Sequence, residues 1–157
     1  MKAPNFNSIV SENKKASFDY FLSEFLEVGI VLKGTEIKAI RKHKLSLKDT
    51  YIDFKDGEAY IINLHIPQYE KGNIFNHEPT RTRKLLMHRR EILRYSQRVQ
   101  ADSFTCVPTK VYYKNGRIKL TIALGKGKKN YDKRDAIKER DDERSMQRAA
   151  KQGREDD

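Results

Sequence analysis

The side chains able to act on a substrate are few and scattered. Four histidines, His43, His65, His77 and His88, lie far apart, and none falls in a His-x-His, His-Glu-x-x-His or Cys-x-x-Cys arrangement that would favour a metal. Each reads as a surface or packing histidine. The single cysteine, Cys106, sits in a strand pattern between Thr105 and Val107, where a small buried hydrophobe is the usual role. Gly125-Lys126-Gly127-Lys128-Lys129 has the composition of a phosphate loop but lacks the four-residue spacer and the following Ser or Thr. Its backbone and lysines keep the chemistry to grip phosphates. The expectation is a protein that is not an enzyme, with no catalytic residue, no metal and no cofactor.

Binding chemistry is better represented. The 157 residues include 33 Lys+Arg against 22 Asp+Glu, a formal net charge of +11, with 37% hydrophobic residues. That cationic surface over a modest core makes nucleic acid the first partner to consider, ahead of acidic membranes. Aromatic and basic residues interleave: Phe18, Tyr20 and Phe21 lie near Lys14 and Lys15, and Tyr112 and Tyr113 lie between Lys110 and Lys114. Stacking combined with phosphate contacts is how single-stranded RNA is held, although most of these aromatics are expected in the core. Glu36 has two readings. It favours a helix dipole near a helix start, or it accepts hydrogen bonds from an RNA base edge or ribose hydroxyl.

These residues need elements to hold them. Phe18 to Leu32 reads as a strand with Phe18, Tyr20, Leu22, Leu26 and Val28 on one face and a place to bend at Gly29. A short helix follows from Thr35 to about Arg41, with Ile37 and Ile40 toward the core and Lys38, Arg41 and Lys42 wet. Asp56-Gly57 and Asn115-Gly116 each join two strand patterns, as tight hairpin turns do. The clearest strand is Arg117 to Leu124, where Ile118, Leu120, Ile122 and Leu124 alternate with polar residues. Arg83 to Val99 has a helical pattern, with Leu85, Ile92 and Val99 at heptad intervals and Arg90, Arg94 and Arg98 on a basic stripe. His88 followed by Glu91 offers a second possible start. Together these predict a mainly β fold: an oligonucleotide-binding-type antiparallel β-barrel with short flanking helices and a C-terminal tail. By periodicity alone, a two-layer α+β fold is close behind.

Gly125 to Asp157 carries 11 basic and 9 acidic residues but, past Tyr131, only Ile137 and Met146 as large apolar side chains, too few to fold alone. Residues 1–124 hold net +9 of the +11. The organisation expected is a body over 1–124 and a charged tail over 125–157. If helical, the tail aligns Arg140, Arg144 and Arg148, supported by the local pairs Asp141–Arg144 and Lys138–Asp142. The most apolar stretch, Phe18 to Leu32, is interrupted by Asp19, Glu24 and Glu27 and is too short to span a membrane. With no secretory pattern at the amino terminus and one cysteine, the cytoplasm is the expected compartment.

Four ordered blocks carry a resemblance: Asn13-Lys14-Lys15-Ala16, the run from Gly29 to Arg41, Arg83-Lys84-Leu85-Leu86-Met87-His88, and Gly127-Lys128-Lys129-Asn130-Tyr131-Asp132-Lys133-Arg134. In order and spacing they resemble the small protein B family over almost the whole chain. The resemblance implies an oligonucleotide-binding-type barrel that binds the tRNA-like domain of transfer-messenger RNA. It implies delivery of that RNA to stalled ribosomes for trans-translation, which is ribosome rescue with peptide tagging. By position it makes Asn13, Lys14, Lys15, Glu36, Lys38, Arg41, Lys84, His88, Lys126 and Lys128 candidates for RNA contact. Asp132, Lys133 and Arg134 match the start of the family's tail, which becomes helical on the ribosome and occupies the empty message channel. Arg140, Arg144 and Arg148 fall in that tail. The partners implied are transfer-messenger RNA, the ribosome (small-subunit rRNA, decoding centre and message channel) and elongation factor Tu through the shared RNA. The chain acts as a monomer in the complex, with no membrane partner. Two departures from the family pattern stand out: Ile37 and Ala39 replace a valine and a serine, and Ser103 stands where a glycine is usual. The alternatives are a general structured-RNA-binding or ribosome-assembly protein and, more remotely, an RNA-modifying or RNA-cleaving enzyme.

Overall fold

The computed structural model describes residues 9–42, 44–69, 76–129, 131–135, 137, 138, 140 and 144. Its strands are β1 (Ile9–Glu12), β2 (Tyr20–Ile30), β3 (Tyr51–Lys55), β4 (Glu58–Ile62), β5 (Arg83–Leu86), β6 (Thr105–Lys114) and β7 (Arg117–Gly127). Helices α1 (Lys14–Asp19), α2 (Gly34–Arg41) and α3 (Arg89–Ala101) lie between them. The strands form one antiparallel sheet in the order β1-β6-β7-β2-β5-β4-β3. β3 packs against β6, so the sheet curls as an oligonucleotide-binding-type fold does, while β1 and β3 remain its edges. The barrel is therefore not closed by hydrogen bonds among the described residues.

Local chemistry explains most of this. Both hairpin turns place two residues in the left-handed region, Asp56 and Gly57 at φ 53° and 76°, and Asn115 and Gly116 at φ 52° and 75°. That pairing matches the twist of the flanking strands. Along β7, Leu120, Ile122 and Leu124 are completely buried and join Val28, Ile40, Ile61 and Leu85 in one core. Each such side chain contributes about 1.5–3 kcal/mol by leaving water.

Four expectations are corrected. The strand expected from Phe18 begins at Tyr20, because Phe18 lies in α1, whose cap is Asn13: its Oδ1 accepts from the Ala16 N–H at 3.1 Å. The irregularity in β2 falls at Glu24 (φ 51°), inside a bulge between Ser23 and Leu26, rather than at Gly29. Gly29 instead permits close packing, since a Cβ there would lie 3.2 Å from Leu86 Cδ1. The expected helix from Arg83 is divided. Arg83 and Leu85 are buried while Lys84 and Leu86 are exposed, the period of a strand, and α3 starts only where the Glu91 carboxylate accepts the His88 N–H at 2.9 Å. Finally, the body does not end at residue 124. Gly125, Lys126 and Gly127 pair with Leu22, Phe21 and Tyr20, so the glycine-lysine run is strand rather than phosphate loop.

Beyond the sheet, residues 131–135, 137, 138, 140 and 144 are helical. The first turn is held by Asp132, whose carboxylate accepts the Lys129 N–H at 3.2 Å, and by the Lys133 N–H bonded to the Lys129 carbonyl at 3.1 Å. Arg148, Asp141, Asp142 and His43 lie outside the described residues. Among the described residues no helix is long and apolar enough to cross a membrane.

Candidate nucleic-acid interface

At one end of the sheet, α1, the start of β2 and the end of β7 meet. The Lys128 N–H donates to the Asp19 carbonyl at 2.8 Å, and its Nζ donates to the Ser17 carbonyl at 3.1 Å. Lys128 is thereby held over the face of Phe21, 5.0 Å from the ring centre, and Phe21 is itself exposed. Lys14 and Lys15 project from the first turn of α1 into solvent. Lys126 reaches from β7 to the Asp102 carbonyl at 3.0 Å and lies over Phe104. The helical residues that follow begin here, with Lys133 Nζ 3.4 Å from the Asp19 carboxylate and Arg134, Arg140 and Arg144 exposed. Asn13 belongs to this end but serves the fold. Its Nδ2 donates to the Pro108 carbonyl at 3.0 Å while its Oδ1 caps α1.

Glu36 is corrected as an RNA contact. Its side chain is fully buried, and it receives the Lys33 N–H at 2.7 Å, Arg81 Nη2 at 2.7 Å, and Arg83 Nε. Burial pushes its carboxyl up, but the bonds from Arg81, the Lys33 N–H and Arg83 outweigh that and hold it below the usual carboxylate range. Arg83, equally buried, donates Nη1 to the Leu64 carbonyl at 2.7 Å and Nη2 to the Pro79 carbonyl at 3.1 Å. Thr35, in the same turn, meets His77 Nδ1 at 2.9 Å, and His77 Nε2 lies 2.8 Å from the Ile66 carbonyl. Every polar group at the head of α2 is thus directed into the molecule. The helix-start reading of Glu36 is the one its geometry matches, and an unpaired carboxylate facing RNA is not what the site presents.

The remaining candidates lie on other elements. Lys38 and Arg41 are on the exposed face of α2, and Lys38 and Lys42 both approach the ring of Tyr69, at 5.5 and 5.4 Å. Lys84 projects from β5 and pairs with Glu58 at 3.3 Å, while His88 is exposed at the start of α3. Of the basic stripe on α3, Arg94 and Arg98 turn to Glu24 in the β2 bulge, whose carbonyl also accepts from Tyr95 Oη at 2.5 Å. That stripe therefore locks helix to sheet. Tyr112 and Tyr113 are buried, and Tyr112 Oη donates to Glu27 at 2.5 Å. Cys106 is buried, which pushes its thiol up and away from reactivity.

Sequence reasoning missed Arg81 and Arg83 as the partners of Glu36. The usable signal was their spacing of two residues running into a strand, which puts both on one face. It also missed Arg117 and Lys119, which share a cavity with Arg41.

A basic, curled antiparallel sheet with lysines gathered where two strand ends meet a capped helix defines a small oligonucleotide-binding-type protein. The chain belongs to the SmpB protein family, which matches residues 10–152. It is 51% identical over 144 residues to an SsrA-binding protein of Shouchella clausii, covering 92% of each chain. It is 50% identical over 141 residues to that of Bacillus subtilis, covering 90% of each. A protein chain in a solved structure described as "tmRNA-SmpB: a journey to the center of the bacterial ribosome" is similar with a TM-score of 0.65 and 40% identity, over 81% of this chain and 93% of that one.

Proposed function

We propose that this chain binds transfer-messenger RNA through its body and brings that RNA to stalled ribosomes for trans-translation, as an adaptor and not as an enzyme. The observation that carries this reading is the lysine end of the sheet in a chain that matches SsrA-binding proteins over nine-tenths of its length. Lys14, Lys15, Lys126 and Lys128 neutralise phosphates of the tRNA-like domain, and exposed Phe21 offers a face on which a base can stack. Asn13 positions α1 for these contacts. Lys38, Arg41, Lys84 and His88 extend the RNA surface, and Glu36 contributes by holding α2 in place.

The tail, from Lys129 onward, is a second working part. It begins at Asp132, Lys133 and Arg134, carries Arg140, Arg144 and Arg148 along its length, and occupies the empty message channel next to the decoding centre. Elongation factor Tu joins through the shared RNA. The protein acts as a monomer in the bacterial cytoplasm, without cofactor or metal.

The test separates the two parts. A chain truncated after Lys129 should bind transfer-messenger RNA with unchanged affinity and lose peptide tagging on stalled ribosomes. Full tagging by the truncated chain would overturn the role given to the tail.

A further inference from the structure

A second basic site lies away from the lysine end. Between α2 and the Asn115-Gly116 turn is a cavity of about 340 Å³, floored by Gly29, Ile30, Leu86 and Ile118. That size is at the small end of the ~300–1,000 Å³ range of ligand clefts. Arg41, Arg117 and Lys119 stand along it, and no carboxylate lines it among the described residues. Tyr113 also lines it. Its side chain is 5% exposed, and its hydroxyl is buried with no hydrogen-bond partner among the described residues.

Such a hydroxyl is costly to leave unmade, and native proteins retain few of them. Nearly every other buried polar group in this fold has a partner, including Glu36, Arg83, His77, and Tyr95 and Tyr112 through their hydroxyls. Burial pushes the Tyr113 phenol up, while the Arg41 guanidinium opposes that, which puts the hydroxyl on the Arg41 side of its ring. The floor is apolar, open to a flat group, and widened by a glycine where any Cβ would press on Leu86. An apolar slot, one unpartnered hydroxyl and three cations without a matching anion are the parts needed for a base and its flanking phosphates.

We propose that this cavity takes a single unpaired nucleotide of the bound RNA. Its base inserts over Gly29 between Leu86 and Ile118, its edge bonds to Tyr113 Oη, and its phosphates lie against Arg41, Arg117 and Lys119. The inference rests on the RNA-binding reading and adds to it a base-reading site. Direct contact with a base edge gives preference among RNAs, which phosphate contacts alone do not.

Tyr113→Phe is the discriminating variant. Removing an unpartnered hydroxyl should leave the melting temperature unchanged or raise it, so loss of folding does not confuse the result. Affinity for transfer-messenger RNA should fall about three- to tenfold, the worth of one hydrogen bond, with the salt slope unchanged. Arg117→Ala, at the exposed turn, should instead reduce the slope by roughly one unit. Chemical probing of base edges in the same RNA should show a nucleotide protected by wild type and less protected by Tyr113→Phe. If wild type does not bind this RNA, the functional reading itself fails. If wild type binds but Tyr113→Phe binds equally well with the same protections, the base pocket alone is overturned. Should Tyr113→Phe keep RNA binding and protection yet lose ribosome association, a protein segment occupies the cavity, and the proposal is equally overturned.

Discussion

At the head of α2, Glu36 draws Arg81 and Arg83 out of water, whereas at the end of β7, Lys126 and Lys128 hold their charges at the surface. Both regions are short charged motifs, and both lie in blocks that resemble the same family. Burial separates them. In the first, each charge is answered by another or by a backbone carbonyl, so its removal strands a partner in a low-dielectric interior. In the second, the backbone is fixed by pairing with β2 while the side chains stay available to a ligand. A charged residue in a family motif is therefore not by that fact a contact, and its burial and partners decide its role.

The comparison can be broken most strongly at Glu36. Glu36→Ala should destabilise the fold by about 3–5 kcal/mol in urea unfolding, because Arg83 would be left buried and unpaired. An unaltered unfolding midpoint with lost RNA binding would make Glu36 a contact after all. Next in size is Gly125→Ala. Its Cβ would lie 2.9 Å from Tyr20 Cβ and Cγ, with an expected cost of about 1–3 kcal/mol in thermal unfolding.

Acid acts on the same buried cluster. The folded carboxyl of Glu36 titrates below its unfolded value near 4.5, so its contribution is fully present above that value and is lost as pH falls through the lower folded one. Unfolding curves should show declining stability across that acid window in wild type and a weaker decline in Glu36→Gln.

Ser103 gives a smaller effect of opposite sign. It follows α3 at φ 58°, and the Phe104 N–H returns to the Arg98 carbonyl at 3.3 Å, a helix end that usually takes glycine. Ser103→Gly should therefore stabilise the protein by about 1 kcal/mol, read as a raised melting temperature. The smallest effect on stability belongs to the lysine end. Lys14→Ala with Lys15→Ala should stay within about 0.5 kcal/mol of wild type, yet weaken RNA binding and flatten its salt dependence by roughly one unit per lost phosphate contact.

What could be read from sequence was what local chemistry determines. Asp56-Gly57 and Asn115-Gly116 marked both hairpins because so few residue pairs accept two left-handed conformations. β7 was visible because its inward positions are uniformly aliphatic. Leu85, Ile92 and Val99 misled because a seven-residue interval has no way to signal that its first member lies in a strand. Only the two-residue alternation from Arg83 to Leu86 carries that information. The β2 bulge was hidden because Glu24 acquires its purpose from Arg94, Arg98 and Tyr95 on a helix seventy residues later. The lysines of the site were visible by type and resemblance. The inward turn of Glu36 was not, since it depends on two arginines more than forty residues away.

The central claim is that the outward charges and surrounding surface recognise one RNA rather than RNA in general. Equilibrium competition between transfer-messenger RNA and bulk tRNA for the full-length protein at physiological salt tests it most directly. A clear preference for transfer-messenger RNA is the predicted result, and equal affinity for the two would contradict it.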